Sequence, residues 1–215
     1  MAELLIPRSL DYRGAREKGR GQTCSQGGPS TAATVDNGRP SASDRAMEEN
    51  PSAPLLIVWH SRTGASEALA RAAFDGAREA GDENAARLLR AEDAGAADLE
   101  TAGGYLFVCP ENLGALSGEM KAMFDRTYYA LLGRIEGRPY ATIIAAGSAG
   151  QGAQAQLDRI VTGWRLRRVT DSLIANLGAQ TPQQIMAAKT VDAVVLKQAR
   201  DIGLTLGTGL NLGVF

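Results

Sequence analysis

The chain has 215 residues, 44% of them apolar and 22% charged, enough for one ordinary domain with a real core and a tail. Its formal net charge of −1 excludes a dominant basic patch, so nucleic acid is not an implied partner. No run approaches the about 18 apolar residues of a membrane span. Cys24 and Cys109 suggest no disulfide framework, and Met1–Pro7 is too short and too acidic for a signal peptide, so a reducing, cytoplasmic address is expected.

Residues 1–50 are rich in Gly, Ser, Arg and Pro and lack a periodic apolar pattern after Ile6. Such a segment buries too little apolar surface to offset its ordering entropy, so a disordered N-terminal extension is expected. Met47 is a plausible alternative start. Residues 51–207 are expected to form the folded domain and 208–215 a flexible, glycine-rich tail.

Pro54–Trp59 is short and aliphatic and predicts a buried strand. From Ser66 to Ala80, Leu69, Ala70, Ala73 and Ala77 share one helical face, and Glu67, Arg71 and Arg78 the other. Ala86–Arg90 predicts a second strand and Glu92–Leu99 a short helix. Tyr105–Cys109 is a third strand stopped by Pro110, with a loop over 110–118. Met120, Met123, Phe124, Thr127 and Leu131 recur at helical spacing. Tyr140–Ala145 is a fourth strand, Ala153–Thr162 a helix and Val169–Ile174 a fifth strand. Thr181, Pro182 and Gln184 form a capping box that opens a last helix running to about Leu206. Apolar strands alternating with helices predict an α/β fold: a doubly wound, five-stranded parallel sheet of order 2-1-3-4-5, with helices on both faces. Ligands of such sheets bind at the carboxyl ends of the strands beside the topological switch, where the loops after strands 1, 3 and 4 meet.

Those three loops carry the chemistry. Ser61, Thr63 and Ser66 offer hydroxyls, Gly64 permits close backbone approach, and the N–H groups opening the next helix complete a cradle for an anion. The alternative is that these residues only cap a helix. There is no G-x-x-x-x-G-K-[ST], which disfavours a nucleoside triphosphate. Gly147, Gly150 and Gly152 do not match the dinucleotide fingerprint and follow the wrong strand. No side chains at metal-ligand spacing stand out.

The turn Ser61-Arg62-Thr63-Gly64-Ala65-Ser66 resembles the phosphate loop of flavodoxin-like FMN proteins, a hydroxyl-rich S/T-x-T-G-x-T/S turn. Pro110-Glu111-Asn112-Leu113-Gly114, leading into Met120–Arg126, is similar to the second loop of NAD(P)H-dependent flavodoxin-like oxidoreductases, including quinone reductases of the tryptophan-repressor-binding-protein type. Ala146-Gly147-Ser148 resembles their small-residue loop after strand 4. The resemblance spans Leu55 to Leu173. It implies a flavodoxin-like sheet holding FMN, with Ser61, Arg62, Thr63, Gly64, Ala65 and Ser66 at phosphate and ribityl. Pro110, Glu111, Asn112, Leu113 and Gly114 would lie against the isoalloxazine, and Ala146, Gly147 and Ser148 would close the far side. NAD(P)H is the implied hydride donor, a quinone-like molecule the implied acceptor, and a homodimer a further implication. No catalytic side chain is required, because the cofactor does the chemistry. In one respect the chain departs from carrier flavodoxins, which sandwich the ring between aromatics: loop 110–118 has only Leu113 and Leu116. That departure favours an enzyme over a single-electron carrier. A non-redox module binding another phosphate ligand or a protein is the remaining alternative.

Other residues have plainer readings. His60, the only histidine, ends a strand and is expected to be structural rather than a ligand to phosphate or flavin. Trp59 and Cys109 are expected in the core, and Arg62 either pairs with phosphate or is solvated. Glu111 is expected to be an exposed loop acid. Arg165, Arg167 and Arg168 are a solvated face or, less favoured, a 2′-phosphate site.

Overall fold

Leu55–Trp59 forms a strand, β1, buried along its whole length, as an aliphatic run covered on both faces should be. A computed structural model describes residues 53–81 and 84–215, so the expected N-terminal extension lies outside the described residues. After β1 come α1 (Ala65–Glu79), β2 (Ala86–Arg90), α2 (Ala96–Thr101), β3 (Gly104–Asn112), β4 (Ala115–Leu116) and α3 (Gly118–Leu131). Then follow β5 (Pro139–Ala146), α4 (Gln151–Gly163), β6 (Arg167–Arg168), β7 (Leu173–Asn176), α5 (Pro182–Met186) and α6 (Ala193–Asn211).

The strands β2, β1, β3 and β5 pair in parallel in that order, and β6 and β7 share the outer edge of β5. This is the expected order, with β5 as fourth strand and β6 with β7 as the fifth. Side chains alternate between two cores. Leu56, Val58, Tyr105 and Phe107 pack with Leu99, Met120, Phe124 and Leu157, under α2, α3 and α4. Leu55, Ile57, Leu106 and Ile143 pack with Leu69, Ala73, Ala199 and Leu206, under α1 and α6. The latter two helices touch through small residues. A Cβ on Gly203 would lie 1.9 Å from the Ala73 carbonyl oxygen, and one on Gly76 2.1 Å from that of Arg200.

Five expectations need correction. Pro110 does not stop the third strand; it pairs with Ala145, and β3 continues to Asn112. The Val108 carbonyl takes the last β1-side bond, from the His60 N–H, so Pro110 faces the space where β1 has ended. Its missing N–H therefore breaks no ladder. The short helix starts later than Glu92, at Ala96, because the carbonyls of Ala91, Glu92 and Ala94 turn inward to the Arg126 guanidinium. The fifth strand is split: Arg168 turns in to Asp158 and Ser172, and pairing resumes at Leu173. Finally, the Thr181 capping box forms as expected, but its helix ends at Met186. The Lys189 N–H donates to the Thr63 carbonyl (2.8 Å), and Asp192 caps a separate α6 through the Val194 N–H (2.8 Å). The expected domain boundary at 207 falls inside α6, which runs to Asn211.

Candidate functional site

A cleft of about 830 Å³ opens at the carboxyl ends of β1, β3 and β5. That volume lies within the range of small-molecule and cofactor sites. Every expected site residue except Gly64 lines it: Ser61, Arg62, Thr63, Ala65, Ser66, Pro110, Glu111, Asn112, Leu113, Gly114, Ala146, Gly147 and Ser148. Gly64 serves from behind. Its φ of 94° turns the chain into α1, and its N–H donates to Ser61 Oγ (3.1 Å), which ties the turn together.

The narrow end has the chemistry of an anion site. The N–H groups of Ala65, Ser66 and Glu67 open α1 and have no carbonyl a turn earlier within the helix. Ser66 is 1% exposed and its Oγ has no hydrogen-bond partner, although it borders the cleft. A buried hydroxyl left unpaired costs free energy, so its presence here fits an incoming acceptor such as a phosphate oxygen. Arg62 donates to Glu119 Oε1 (3.1 Å) while its side chain stays 60% exposed, so it is a solvated arginine in a surface pair. Glu119 Oε2 also lies 3.4 Å from His60 Nε2. His60 is buried, and burial holds its pKa below the ordinary histidine value despite the opposing pull of Glu119. It backs the loop and does not line the cleft, in keeping with a structural role.

Residues 110–118 are a β-hairpin rather than a loop. Leu113 and Gly114 are its two turn residues, with φ of 53° and 72°, the left-handed pair that a two-residue turn demands. Three features pin the hairpin to α4. Glu111 accepts from the N–H groups of Gly150 (2.7 Å) and Ala153 (3.3 Å), so it is a helix cap, not the exposed acid expected. The Leu116 N–H donates to Gln156 Oε1 (2.9 Å). Gly152 has no side chain where a Cβ would lie 2.2 Å from the Gly114 carbonyl oxygen. Glycine fits position 114 at no cost, whereas a leucine held left-handed costs roughly 1–2 kcal/mol.

The fourth wall was not expected. After β7 the chain crosses back over the cleft as a strap, and Leu177, Ala179, Ile185 and Lys189 line it. The Leu177 and Ala179 N–H groups donate to the Ala146 and Gly147 carbonyls (2.8 and 2.9 Å). Lys189 Nζ donates to the carbonyls of Gln184, Ile185 and Ala187 at the end of α5. The signal was available, since the carboxyl end of the fifth strand lies on the same sheet edge as the first, third and fourth.

The remaining candidates lie elsewhere. Cys109 is buried in the core, and burial pushes its thiol up to about 12, which keeps it protonated. Trp59 is 5% exposed and carries the Arg90 guanidinium 4.8 Å above its ring. Arg165 pairs with Glu136, and Arg168 with Asp158. Arg165 and Arg167 are nevertheless exposed, in keeping with a solvated face, whereas Arg168 is half-buried.

Comparison with known proteins agrees with this geometry. The family model for NADPH-dependent FMN reductase matches residues 93–180. A flavodoxin from Aquifex aeolicus (strain VF5) is 29% identical over 108 residues, 50% of this chain and 58% of that protein. These matches make the chain similar to flavodoxin-like FMN proteins. The match thus spans little more than half the length of that curated relative. Among solved structures, a WrbA-like flavodoxin from Agrobacterium tumefaciens superposes with a TM-score of 0.54 at 20% identity, over 75% of this chain and 99% of that one. Oxidised flavodoxin 1 from Bacillus cereus superposes with a TM-score of 0.57 at 18% identity, over 71% and 96%. These two establish the flavodoxin-like fold. Among the described residues, no helix is long and apolar enough to cross a membrane.

Proposed function

We propose that this chain is a cytoplasmic FMN-dependent oxidoreductase that accepts hydride from NAD(P)H and reduces a quinone or a similar small acceptor. Bound FMN would supply the redox chemistry, moving between hydride and single-electron donors and acceptors. The residues of the chain bind and orient it. Ser61, Thr63 and Ser66, with the first N–H groups of α1, hold the phosphate. The hairpin from Pro110 to Gly114 would hold the ring, with the Gly114 N–H available to donate to it. Ala146, Gly147 and Ser148 close the opposite side, and the strap covers the cleft from above.

One observation carries the enzyme reading over the carrier reading: among the described residues, no aromatic side chain lines the cleft. Its walls beside the hairpin are Leu113, Ala115, Leu116, Leu177 and Ile185. Aliphatic walls leave a ring face open to a second ring, whereas a stacked aromatic would cover it. The carrier reading keeps support from the flavodoxin relative. The test is to load the protein with FMN, add NADPH or NADH without oxygen, and follow the flavin absorbance before and after a quinone is added. Bleaching by a nicotinamide and recovery with the quinone support the enzyme. No bleaching by either nucleotide returns the chain to the carriers, and failure to bind FMN ends both readings. A homodimer is proposed by resemblance alone and is tested by sedimentation.

A further inference from the structure

Leu113 combines two costs that nothing within the described residues repays. Its backbone is left-handed, with φ of 53°, a region that branched apolar residues avoid and that Asn and Gly enter readily. Its side chain is 106% exposed, so no packing within the chain offsets the strain. The turn is nevertheless held rigidly, by the Glu111 cap on α4 and by the close approach of Gly152 to the Gly114 carbonyl. Facing the same cleft from the strap is a second exposed aliphatic residue, Ile185, at 54%.

The charges around this mouth are all occupied. Arg62 is paired with Glu119, Glu111 with the amides of α4, and Lys189 with the carbonyls of α5. No other charged residue lines the cleft among the described residues. A ligand entering beside Leu113 and Ile185 therefore meets aliphatic side chains, and each lining charge already has a partner within the chain.

We propose that Leu113, with Ile185 opposite, is a specificity-determining residue that grips an uncharged, planar, apolar electron acceptor at the mouth of the cleft. This rests on the FMN oxidoreductase reading and names the acceptor class that its mouth selects. Strained backbone and exposed apolar residues persist at functional sites because the ligand contact offsets them. Reduction of the acceptor is balanced. A reduced flavin passes two electrons and two protons to a quinone, giving the quinol and oxidised flavin. Ferricyanide takes the same two electrons one at a time, and both protons go to water.

The test uses the full chain loaded with FMN and reduced with dithionite, mixed without oxygen with menadione or with ferricyanide. The readout is the ratio of the two reoxidation rate constants. For L113N the ratio falls about tenfold, the size expected for losing part of one leucine contact. I185Q lowers it in the same direction, while L212N, an exposed leucine outside the cleft, leaves it unchanged. Without flavin, L113N melts at or above the wild-type temperature, because Asn relieves the strained turn. An unchanged ratio in L113N overturns the proposal. So does a lower melting temperature of L113N together with an unchanged ratio in I185Q, which would make Leu113 a structural residue. Wild-type protein that fails to bind FMN, or whose reduced flavin menadione does not reoxidise, overturns the underlying function instead, and the variants are not needed to see it.

Discussion

Single atoms at this site carry specific consequences. Ser66 Oγ is buried, unpaired and at the anion end of the cleft. Replacing it with alanine removes an unsatisfied hydroxyl from the ligand-free protein, so S66A should fold at least as stably as wild type. The same change deletes the donor proposed for the phosphate. Hydrogen bonds to charged groups contribute about 1.5–3 kcal/mol, so FMN affinity should fall roughly tenfold to a hundredfold. Riboflavin, which has no phosphate, should bind both proteins alike. Fluorescence titration with the two flavins separates a phosphate contact from a general loosening of the turn; an equal loss for both would reject the contact.

His60 gives a pH dependence with a definite sign. Its folded pKa is depressed by burial, so the unfolded chain takes up a proton first as pH falls. The stability this histidine allows is fully present above about pH 6.5, the unfolded value, and is lost as pH falls through the depressed folded value. His60 is the only histidine in the chain, so no other imidazole adds to this window. Glu92, also depressed, acts only lower, below its ordinary carboxylate value. Urea midpoints measured from pH 7.5 to 5 should fall for wild type and stay nearly flat for H60Q. Parallel curves for the two proteins would exclude His60 as the source.

At the scale of elements, the hairpin on α4 sets the geometry of the wall proposed to face the ring. G152A would place a methyl group 2.2 Å from the Gly114 carbonyl oxygen, on backbone that cannot rotate away. Overpacking of this kind costs typically 1–3 kcal/mol, and here the displacement falls on the cleft wall. The variant should lower both the unfolding midpoint and FMN affinity, with riboflavin affected as much as FMN. That pattern is the opposite of S66A, and comparing the two distinguishes the ring end from the phosphate end. Much of this level was legible in the sequence. An aliphatic run followed by Ser, Thr and Gly before a helical pattern specified β1, the turn and α1 with little tertiary help. The hairpin was not legible, because Leu113-Gly114 lacks the Asn-Gly or Asp-Gly signature of its turn, and Pro110 argued for a strand end. Only the absence of β1 beside Pro110 makes that proline tolerable, which is a tertiary fact. The break between α5 and α6 was hidden for a similar reason. The capping box at Thr181 marked a start correctly, but the stop is set by the bond between the Lys189 N–H and the Thr63 carbonyl, over a hundred positions apart in sequence.

For the whole molecule, the question is how much chain the site needs. Every described strand and helix lies between Leu55 and Asn211, and Glu49–Phe215 forms one compact unit. The two cores draw on all parts of this span: α1 packs on α6 through Gly76 and Gly203, so the first helix and the last are interdependent. The cleft does the same, since Ser61 from the first turn and Lys189 from the strap line one cavity. Truncation from the carboxyl end should therefore be costly, and removal of the glycine-rich amino-terminal segment should not. A chain beginning at Glu49 is expected to melt within about 3 °C of the full chain, a shift no larger than a typical surface change produces. It should bind FMN with the same affinity. A chain ending at Thr181 keeps the strands but loses α5, α6 and the part of the strap that carries Ile185 and Lys189, exposing Leu69, Ala73 and Ala77 on α1; it should fail to unfold cooperatively. Thermal melts followed by circular dichroism, with FMN titration of whatever folds, decide both. Loss of FMN binding in the chain beginning at Glu49 would show that the first 48 residues contribute to the site, and would reassign them from extension to part of the functional domain.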